Sequence, residues 1–243
     1  MKEFKGSKKC MLELISSPDY YSTINSLIKG SEAIISAKDD KHFPLGLHNH
    51  KEAELKDFLA GHFTAKQGTD IRNWWLAVST PNTRTPNWDL ISTCTIKGKK
   101  GILLVEAKAH KQELNGESHG KKLNLEASDN SKANHEKIGL AINEAKVGID
   151  GISISRDMCY QLSNRVAHAW WLANQGIPVV LLYLGFLNVK DMDNGKNELF
   201  KIDEEWTDCF SNHASQVGVD NILDKWVDCG ESGFRLICKS IQI

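Results

Sequence analysis

The stretch from Asp89 to Lys108 decides the fold, and it reads Asp-Leu-Ile-Ser-Thr-Cys-Thr-Ile-Lys-Gly-Lys-Lys-Gly-Ile-Leu-Leu-Val-Glu-Ala-Lys. Two apolar runs flank a Lys/Gly turn, which is the signal of a β-hairpin. Asp89 opens the first strand and Glu106 closes the second, and those two ends are neighbours in an antiparallel pair. Residues two apart on a strand share a face, so Glu106 and Lys108 point the same way. Two carboxylates and one ammonium at a sheet edge form a group that can hold a divalent metal and activate a water.

These residues also have an ordinary interpretation. A Glu and a Lys two apart on a strand usually form a solvated face, and a chain of this length offers several such pairs. The catalytic interpretation therefore depends on Asp89, one hairpin upstream, and on the elements that surround the hairpin.

The composition is that of an ordinary globular protein. The chain has 243 residues, 41% of them hydrophobic, and a formal net charge of -1, so any surface for nucleic acid has to be local. Its six cysteines are scattered without a Cys-x-x-Cys pair, which favours neither a zinc site nor a disulfide framework. The sequence contains no secretory signal and no long apolar run, so we expect a cytoplasmic protein without a membrane segment.

The hydrophobic pattern divides the chain into three parts. Residues 1–45 are predicted to be an N-terminal helical extension, residues 46–190 a core with a polar insertion at about 111–155, and residues 191–243 a C-terminal extension packed on the core. The predicted elements are helices at 17–30, 32–37 and 50–63, a strand at 71–79, the hairpin, helices at 132–146 and 155–175, a buried strand at 179–186, helices at 204–212 and 219–227, and a strand at 234–241.

One carboxylate in the third predicted helix needs an explanation. At 100° per residue Glu52 lies on the apolar stripe with Leu55 and Leu59, whereas Glu54 lies off it. A carboxylate aligned with a buried stripe costs free energy unless it is paired. We therefore expect Glu52 to face the two hairpin carboxylates and Glu54 to lie outside. The alternative is that Glu52, as a first-turn residue, simply interacts favourably with the helix dipole.

With the polar insertion set aside, the order of elements is helix, three strands, helix, strand. This order resembles the PD-(D/E)xK nuclease superfamily, whose shared core is an αβββαβ sandwich. The family motif is an Asp at the start of the second core strand and a Glu/Asp-x-Lys at the end of the third, often with a Glu on the first helix and a Gln on the later helix. The resemblance covers residues 48–187, and the matching residues are Asp89, Glu106-Ala107-Lys108, Glu52 and Gln161.

Two positions depart from the family pattern. Asp89 follows Trp88 rather than a Pro, and Pro86 lies three positions before it. Arg165 stands where some branches of the superfamily place a Tyr. Neither departure removes a metal ligand, but each weakens the assignment to any one branch.

The resemblance implies a restriction-endonuclease-like α/β fold, with a mixed sheet flanked by helices, and a metal-dependent nuclease that acts on DNA. Mg²⁺, or Mn²⁺ in its place, prefers oxygen ligands, which Asp89, Glu106 and the Ala107 carbonyl would supply. Lys108 would hold or deprotonate the attacking water and counter the developing negative charge. The other assigned residues are Glu52 and Gln161 in the catalytic group, and Arg165 and Lys111 as substrate contacts.

Lysines are in modest excess beside the proposed site. Between Thr95 and Leu140 there are nine lysines and six acidic residues, which is a surplus of three positive charges. The surplus suits contact with phosphate, although a solvated loop face would look the same. DNA is therefore the partner that we expect, and a homodimer is a candidate assembly.

Two other function classes fit parts of the sequence. Residues 116–120 match the Gly-x-Ser-x-Gly elbow of serine hydrolases around Ser118, but the polar residues 111–115 before them are not a buried strand. The other class is a catalytically silent nucleic-acid-binding or scaffold protein on the same fold, against which the clustered carboxylates argue because they repel phosphate. The sequence does not distinguish among duplex, branched, damaged and single-stranded DNA as the substrate. Restriction, repair and defence are all compatible with it as the biological role.

Overall fold

The computed structural model describes residues 4–80 and 83–242, which form a mixed α/β protein built on one curled, mixed sheet. The α-helices of this part of the chain are α1 (Gly6–Ser16), α2 (Tyr20–Leu27), α3 (Leu55–His62), α4 (Ala65–Trp75), α5 (Lys111–Asn115), α6 (Asp129–Gly148), α7 (Tyr160–Asn174) and α8 (Asp203–Ser215). The strands are β1 (Ala33–Ile34), β2 (His42–Phe43), β3 (Leu90–Ile96), β4 (Lys99–Lys108), β5 (Val179–Leu187), β6 (Trp226–Cys229) and β7 (Ser232–Gln242). Their order is β1-β3-β4-β5-β7-β6, and β2 also pairs with β3.

Strands β3 and β4 form the predicted hairpin. They pair antiparallel from Leu90↔Val105 up to the turn, which consists of Lys97 and Gly98. Both turn residues have positive φ, 50° and 76°, and two such residues give the backbone twist that a tight hairpin needs. The hairpin prediction is therefore confirmed.

The buried apolar strand β5 lies in the middle of the sheet. It pairs in parallel with β4 on one side and with β7 on the other. Helices α1 and α2 cover one face of the sheet, while α3, α4, α6, α7 and α8 cover the other. Burial on both faces explains why β5 is continuously apolar.

The strand predicted at 71–79 is wrong, because residues 71–75 belong to α4. Thr64 caps this helix by accepting a hydrogen bond from the Gln67 backbone N–H at 3.2 Å. Ile71 and Trp75 are both buried, and their spacing of four residues is helical. The outer strands of the sheet come instead from the N-terminal part, where β1 and β2 pair antiparallel with β3.

Two other predicted helices are strands in part. Residues 32–37 contain β1, and residues 219–227 contain a 3-10 helix followed by the first residues of β6. In both places pairing with a longer strand overrides the local helical pattern. The predicted elements whose type is confirmed are 17–30 (α2), 50–63 (α3), 132–146 (α6), 155–175 (α7), 179–186 (β5), 204–212 (α8) and 234–241 (β7).

The sheet joins the three parts of the sequence. The N-terminal part adds β1 and β2, and the C-terminal part adds β7, which pairs with β5 along its whole length. The insertion at 111–155 contributes α6, whose Ile138 and Ile142 are buried in the core. Within the described residues, none of the helices has the length and apolar character needed to cross a bilayer.

Candidate active site

The register of the hairpin brings the predicted motif residues to one edge of the sheet. Strand β3 begins at Leu90, opposite Val105, so the preceding residue, Asp89, lies across from Glu106. Directly opposed residues of an antiparallel pair project to the same face. Lys108, two residues beyond Glu106, shares that face, which is the one covered by α7.

Glu106 is held by three hydrogen bonds and one further ion-pair contact. The residue is only 3% exposed. Its Oε1 accepts from Lys108 Nζ at 2.7 Å and from the Gln161 side-chain amide. Its Oε2 accepts from Arg165 Nε at 2.7 Å and lies 2.7 Å from Arg165 Nη2. Burial raises the pKa of the Glu106 carboxyl, but Arg165 and Lys108 outweigh burial and hold the pKa below its ordinary value. Glu106 is therefore an ionised, fixed carboxylate.

Asp89 is in a different electrostatic state. It is half-buried, and its Oδ2 accepts a hydrogen bond from the Ala107 backbone N–H at 2.8 Å. Burial and the neighbouring Glu106 carboxylate raise the pKa of Asp89 to about 7, against the lowering effect of Lys108. Part of the charge on Asp89 is thus left uncompensated by the surrounding side chains.

Gln161 and Arg165 reach Glu106 from successive turns of α7. The helix predicted at 155–175 begins at Tyr160, so Gln161 lies in its first turn. Residues four apart lie on the same side of a helix, which is why both side chains meet one carboxylate. Lys108 Nζ also donates to Gln161 Oε1 at 3.4 Å, so the three polar side chains around Glu106 form one network.

Arg165, predicted to contact the substrate, binds Glu106 inside the protein. It is 6% exposed, and its guanidinium carbon lies 4.2 Å from the centroid of the Trp88 ring. Stacking on an aromatic face fixes the plane of the guanidinium. The sequence analysis missed Trp88 as a supporting residue, although its place directly before Asp89 was a signal.

The helix predicted around Glu52 begins only at Leu55, so the helical phase assigned to Glu52 and Glu54 is wrong. Glu54 is the buried one of the two glutamates. It accepts a hydrogen bond from the Thr85 backbone N–H at 3.1 Å and pairs with Arg84 at 3.4 Å. Glu54 therefore anchors the segment that leads into the hairpin.

Glu52 lies before α3 and pairs with Lys8 of α1 at 2.6 Å. Its side chain is 23% exposed. Glu52 and Lys8 line a small cavity together with Asp89, which brings Glu52 to the neighbourhood of the motif. A role for Glu52 in catalysis stays a prediction, and Lys8 is a neighbour that sequence reasoning did not find.

Two further predicted residues have other surroundings. Lys111 begins α5 and pairs with Glu198 at 3.2 Å, so its charge is offset locally, and its contact with substrate stays a prediction. Ser118 ends a 3-10 helix that follows α5 directly. Because a nucleophile elbow needs a strand before the serine and a helix after it, the serine-hydrolase interpretation lacks its structural context.

The oxygens around Asp89 suit a divalent cation. The N–H and C=O of one strand residue point to the same side, so the Ala107 carbonyl lies on the side where its N–H meets Asp89. Strand β3 does not reach this point, because its pairing with β4 stops at Val105. A carboxylate and a backbone carbonyl are oxygen ligands of the kind that Mg²⁺ takes.

Glu106 can bind a cation only after one of its hydrogen-bond partners moves away. A carboxylate has about four lone-pair sites, and the four nitrogen atoms that contact Glu106 occupy them. Release of the neutral Gln161 amide would free one site while leaving the two cations in place. No group of three or more Asp, Glu, His or Cys side chains able to hold a metal is found in the part of the chain that the structure describes. The candidate ligands are thus two carboxylates and one carbonyl.

Comparisons with known proteins leave the site to be judged by its geometry. No family model, no curated protein and no solved structure matches the chain.

Proposed function

We propose that this chain is a divalent-metal-dependent nuclease that hydrolyses phosphodiester bonds of DNA. The observation that carries the proposal is the pairing of Asp89 with Glu106 at one sheet edge, with Lys108 on the same face. Burial and, after it, the neighbouring Glu106 carboxylate raise the pKa of Asp89 to about 7. A bound cation would relieve this repulsion, which supports a metal site at the pair.

The proposed fold family is the PD-(D/E)xK superfamily with its αβββαβ sandwich. In this proposal α3 is the first core helix, β3 and β4 are the second and third strands, α7 is the later helix and β5 the last strand. Strand β2, antiparallel to β3, takes the outer place in the sheet that the sequence had suggested for residues 71–79. It precedes α3 in the chain, whereas the first strand of the αβββαβ core follows the first helix, so the correspondence is one of place in the sheet and not of chain order. A DNA partner, an Mg²⁺ or Mn²⁺ cofactor, a cytoplasmic location and a homodimer belong to the same proposal.

The chemistry divides between the cation and the residues of the chain. Asp89, Glu106 and the Ala107 carbonyl would hold the cation, which would lower the pKa of a bound water and offset charge on the phosphoryl group. The Lys108 ammonium, kept beside Glu106 by the 2.7 Å ion pair, would donate a hydrogen bond to the attacking water, and its charge would offset the developing negative charge.

Gln161 and Arg165 act as positioning residues in this scheme. Both donate to Glu106, and Arg165 is itself fixed by the Trp88 ring. Residues that hold a ligating carboxylate set its orientation and basicity. Their removal would therefore disturb catalysis through Glu106 and not through contact with the substrate.

A catalytically silent nucleic-acid-binding or scaffold protein is the second candidate. One observation favours it: Lys108 and Arg165 already pair with Glu106 without a metal. Such a cluster would stabilise the sheet edge as a buried salt-bridge network. The silent protein would bind DNA without cutting it.

The test is incubation with plasmid and linear DNA in Mg²⁺ or Mn²⁺, with and without EDTA. We expect cleavage by the parent chain that EDTA stops, loss of cleavage in Asp89→Asn, and unchanged cleavage in Asp150→Asn, a matched control at an exposed aspartate. Cleavage by Asp89→Asn at the parent rate would overturn the proposal. DNA binding without cleavage by the parent chain would favour the silent protein.

A further inference from the structure

An open cavity of about 350 Å³ lies beside the candidate active site. Gln161 and Arg165, which hold Glu106, form part of its wall. The remaining wall comes from α4, α6 and α7, from the loop before the hairpin and from the loop before α6. The cavity is therefore continuous with the residues that orient the proposed metal ligands.

Three buried polar atoms of this wall lack a hydrogen-bond partner among the described residues. They are Nη1 of Arg165 and the side-chain oxygens Oδ1 of Asn87 and Asn164. Asn164 is 5% exposed and Arg165 is 6% exposed. These three atoms are enclosed within the wall, whereas the side-chain amides of Asn87, Gln161 and Asn164 along it suit a ligand that offers both donors and acceptors. A base edge has both, whereas a phosphate ion offers mainly acceptors.

The wall of the cavity carries positive charge. Arg84 and Lys121 line the cavity, and the described lining residues include no carboxylate. Lys121 Nζ lies 4.8 Å from the centroid of the Tyr160 ring, so a cation and an aromatic face stand together in the cavity. Burial lowers the pKa of Lys121.

We propose that this cavity binds one nucleotide of the substrate strand next to the scissile phosphate. The base meets the side-chain amides of Asn87 and Asn164, and the phosphate meets Lys121. A base in such a cavity is out of the duplex stack, so the strand is single or locally unpaired there. The inference deepens the proposed nuclease function, and rests on it for the identity of the ligand.

Isothermal titration calorimetry in EDTA tests the cavity without any cleavage. The probes are the four deoxynucleoside 5′-monophosphates, the free deoxynucleosides and inorganic phosphate. The proteins are the parent chain, Lys121→Met, and Lys122→Met as a matched control, because Lys122 is exposed and does not line the cavity. Asp89→Asn is the fourth protein, and it separates binding from catalysis.

We expect saturable binding of at least one monophosphate to the parent chain, tighter than binding of its nucleoside or of phosphate. Lys121→Met should weaken it by about tenfold or more, the usual size of a lost charge-assisted hydrogen bond, and Lys122→Met should not change it. Monophosphate binding that is absent, insensitive to Lys121→Met or no tighter than phosphate binding would overturn the inference. Asp89→Asn should bind the monophosphate as the parent does. A parent chain that binds it but never cleaves DNA would refute the nuclease proposal and leave the nucleotide cavity standing.

Discussion

The ends of β3 and β4 carry the same chemical group in opposite electrostatic states. Glu106 receives three hydrogen bonds and an ion pair, its contacts with Arg165 among them, and its pKa lies below the ordinary value. Asp89, across the hairpin, accepts a hydrogen bond from a backbone N–H, and its pKa is raised to about 7. The protein therefore fixes one carboxylate with its own cations and leaves the other to be neutralised by a proton or a bound cation.

The largest expected effect comes from replacing Lys108, whose ammonium pairs with Glu106. Lys108→Met should lower the single-turnover cleavage rate by about 10²–10⁴-fold, the usual size of a general acid/base contribution. The matched control is Lys99→Met, at the exposed start of the same strand, which should cleave at the parent rate. Full activity in Lys108→Met would remove the lysine from the mechanism.

Removing the cation that fixes Glu106 should cost stability. Arg165→Met leaves a buried carboxylate without its bidentate partner, and breaking a buried pair typically costs about 3–5 kcal/mol. Urea unfolding measures the change. Arg156→Met, which breaks a surface pair with Asp157, should change the free energy of unfolding by less than about 1 kcal/mol. Equal losses in the two variants would show that Arg165 does not anchor Glu106.

The sequence was sufficient to predict how the motif residues are arranged, because that arrangement follows from the local geometry of strands and turns. The turn at Lys97 and Gly98 and the two-residue strand period together bring Asp89, Glu106 and Lys108 to one face. Gln161 was placed by the four-residue spacing on α7. These features depend on neighbours in the chain or on one hairpin.

Long-range contacts explain what the sequence did not reveal. The apolar residues after Ile71 suited a strand, but packing of α4 and pairing of β1 and β2 with β3 decided otherwise. Glu54 is buried because the Thr85 segment approaches it, a contact without a local signal. Arg165 was assigned to substrate because nothing near it in sequence revealed the Trp88 ring that it stacks on.

The raised pKa of Asp89 predicts a pH dependence. In the folded chain this carboxyl keeps its proton up to about pH 7, whereas in the unfolded chain it releases the proton near its ordinary value of 3.8. Its contribution to stability is therefore lost as the pH rises from 4 to 7. In EDTA, Asp89→Asn should gain on the order of 1–3 kcal/mol relative to the parent chain across this window. A difference in the free energy of unfolding between the two proteins that does not change with pH would contradict the raised pKa of Asp89 in the folded chain.

The smallest effect is expected at the edge of the site. Glu52 and Lys8 form a partly exposed pair, so Glu52→Gln should change the free energy of unfolding by at most about 1 kcal/mol. Glu54→Gln, in the buried position, should cost more, because it weakens the contacts with Thr85 and Arg84. Chemical denaturation measures the free energy of unfolding of both variants. A larger loss in Glu52→Gln than in Glu54→Gln would favour the helical phase predicted from the sequence, in which Glu52 is the inward residue.

The most direct measurement of the central claim is calorimetric titration of the chain with Mn²⁺ at neutral pH. We expect one ion to bind per parent chain, and Asp89→Asn to weaken binding by at least about tenfold, or about 1.4 kcal/mol. Asp150→Asn, the exposed control, should bind as the parent does. A parent chain that binds no ion, or an Asp89→Asn variant that binds it with the parent affinity, would contradict the claim that the Asp89–Glu106 pair is a metal site.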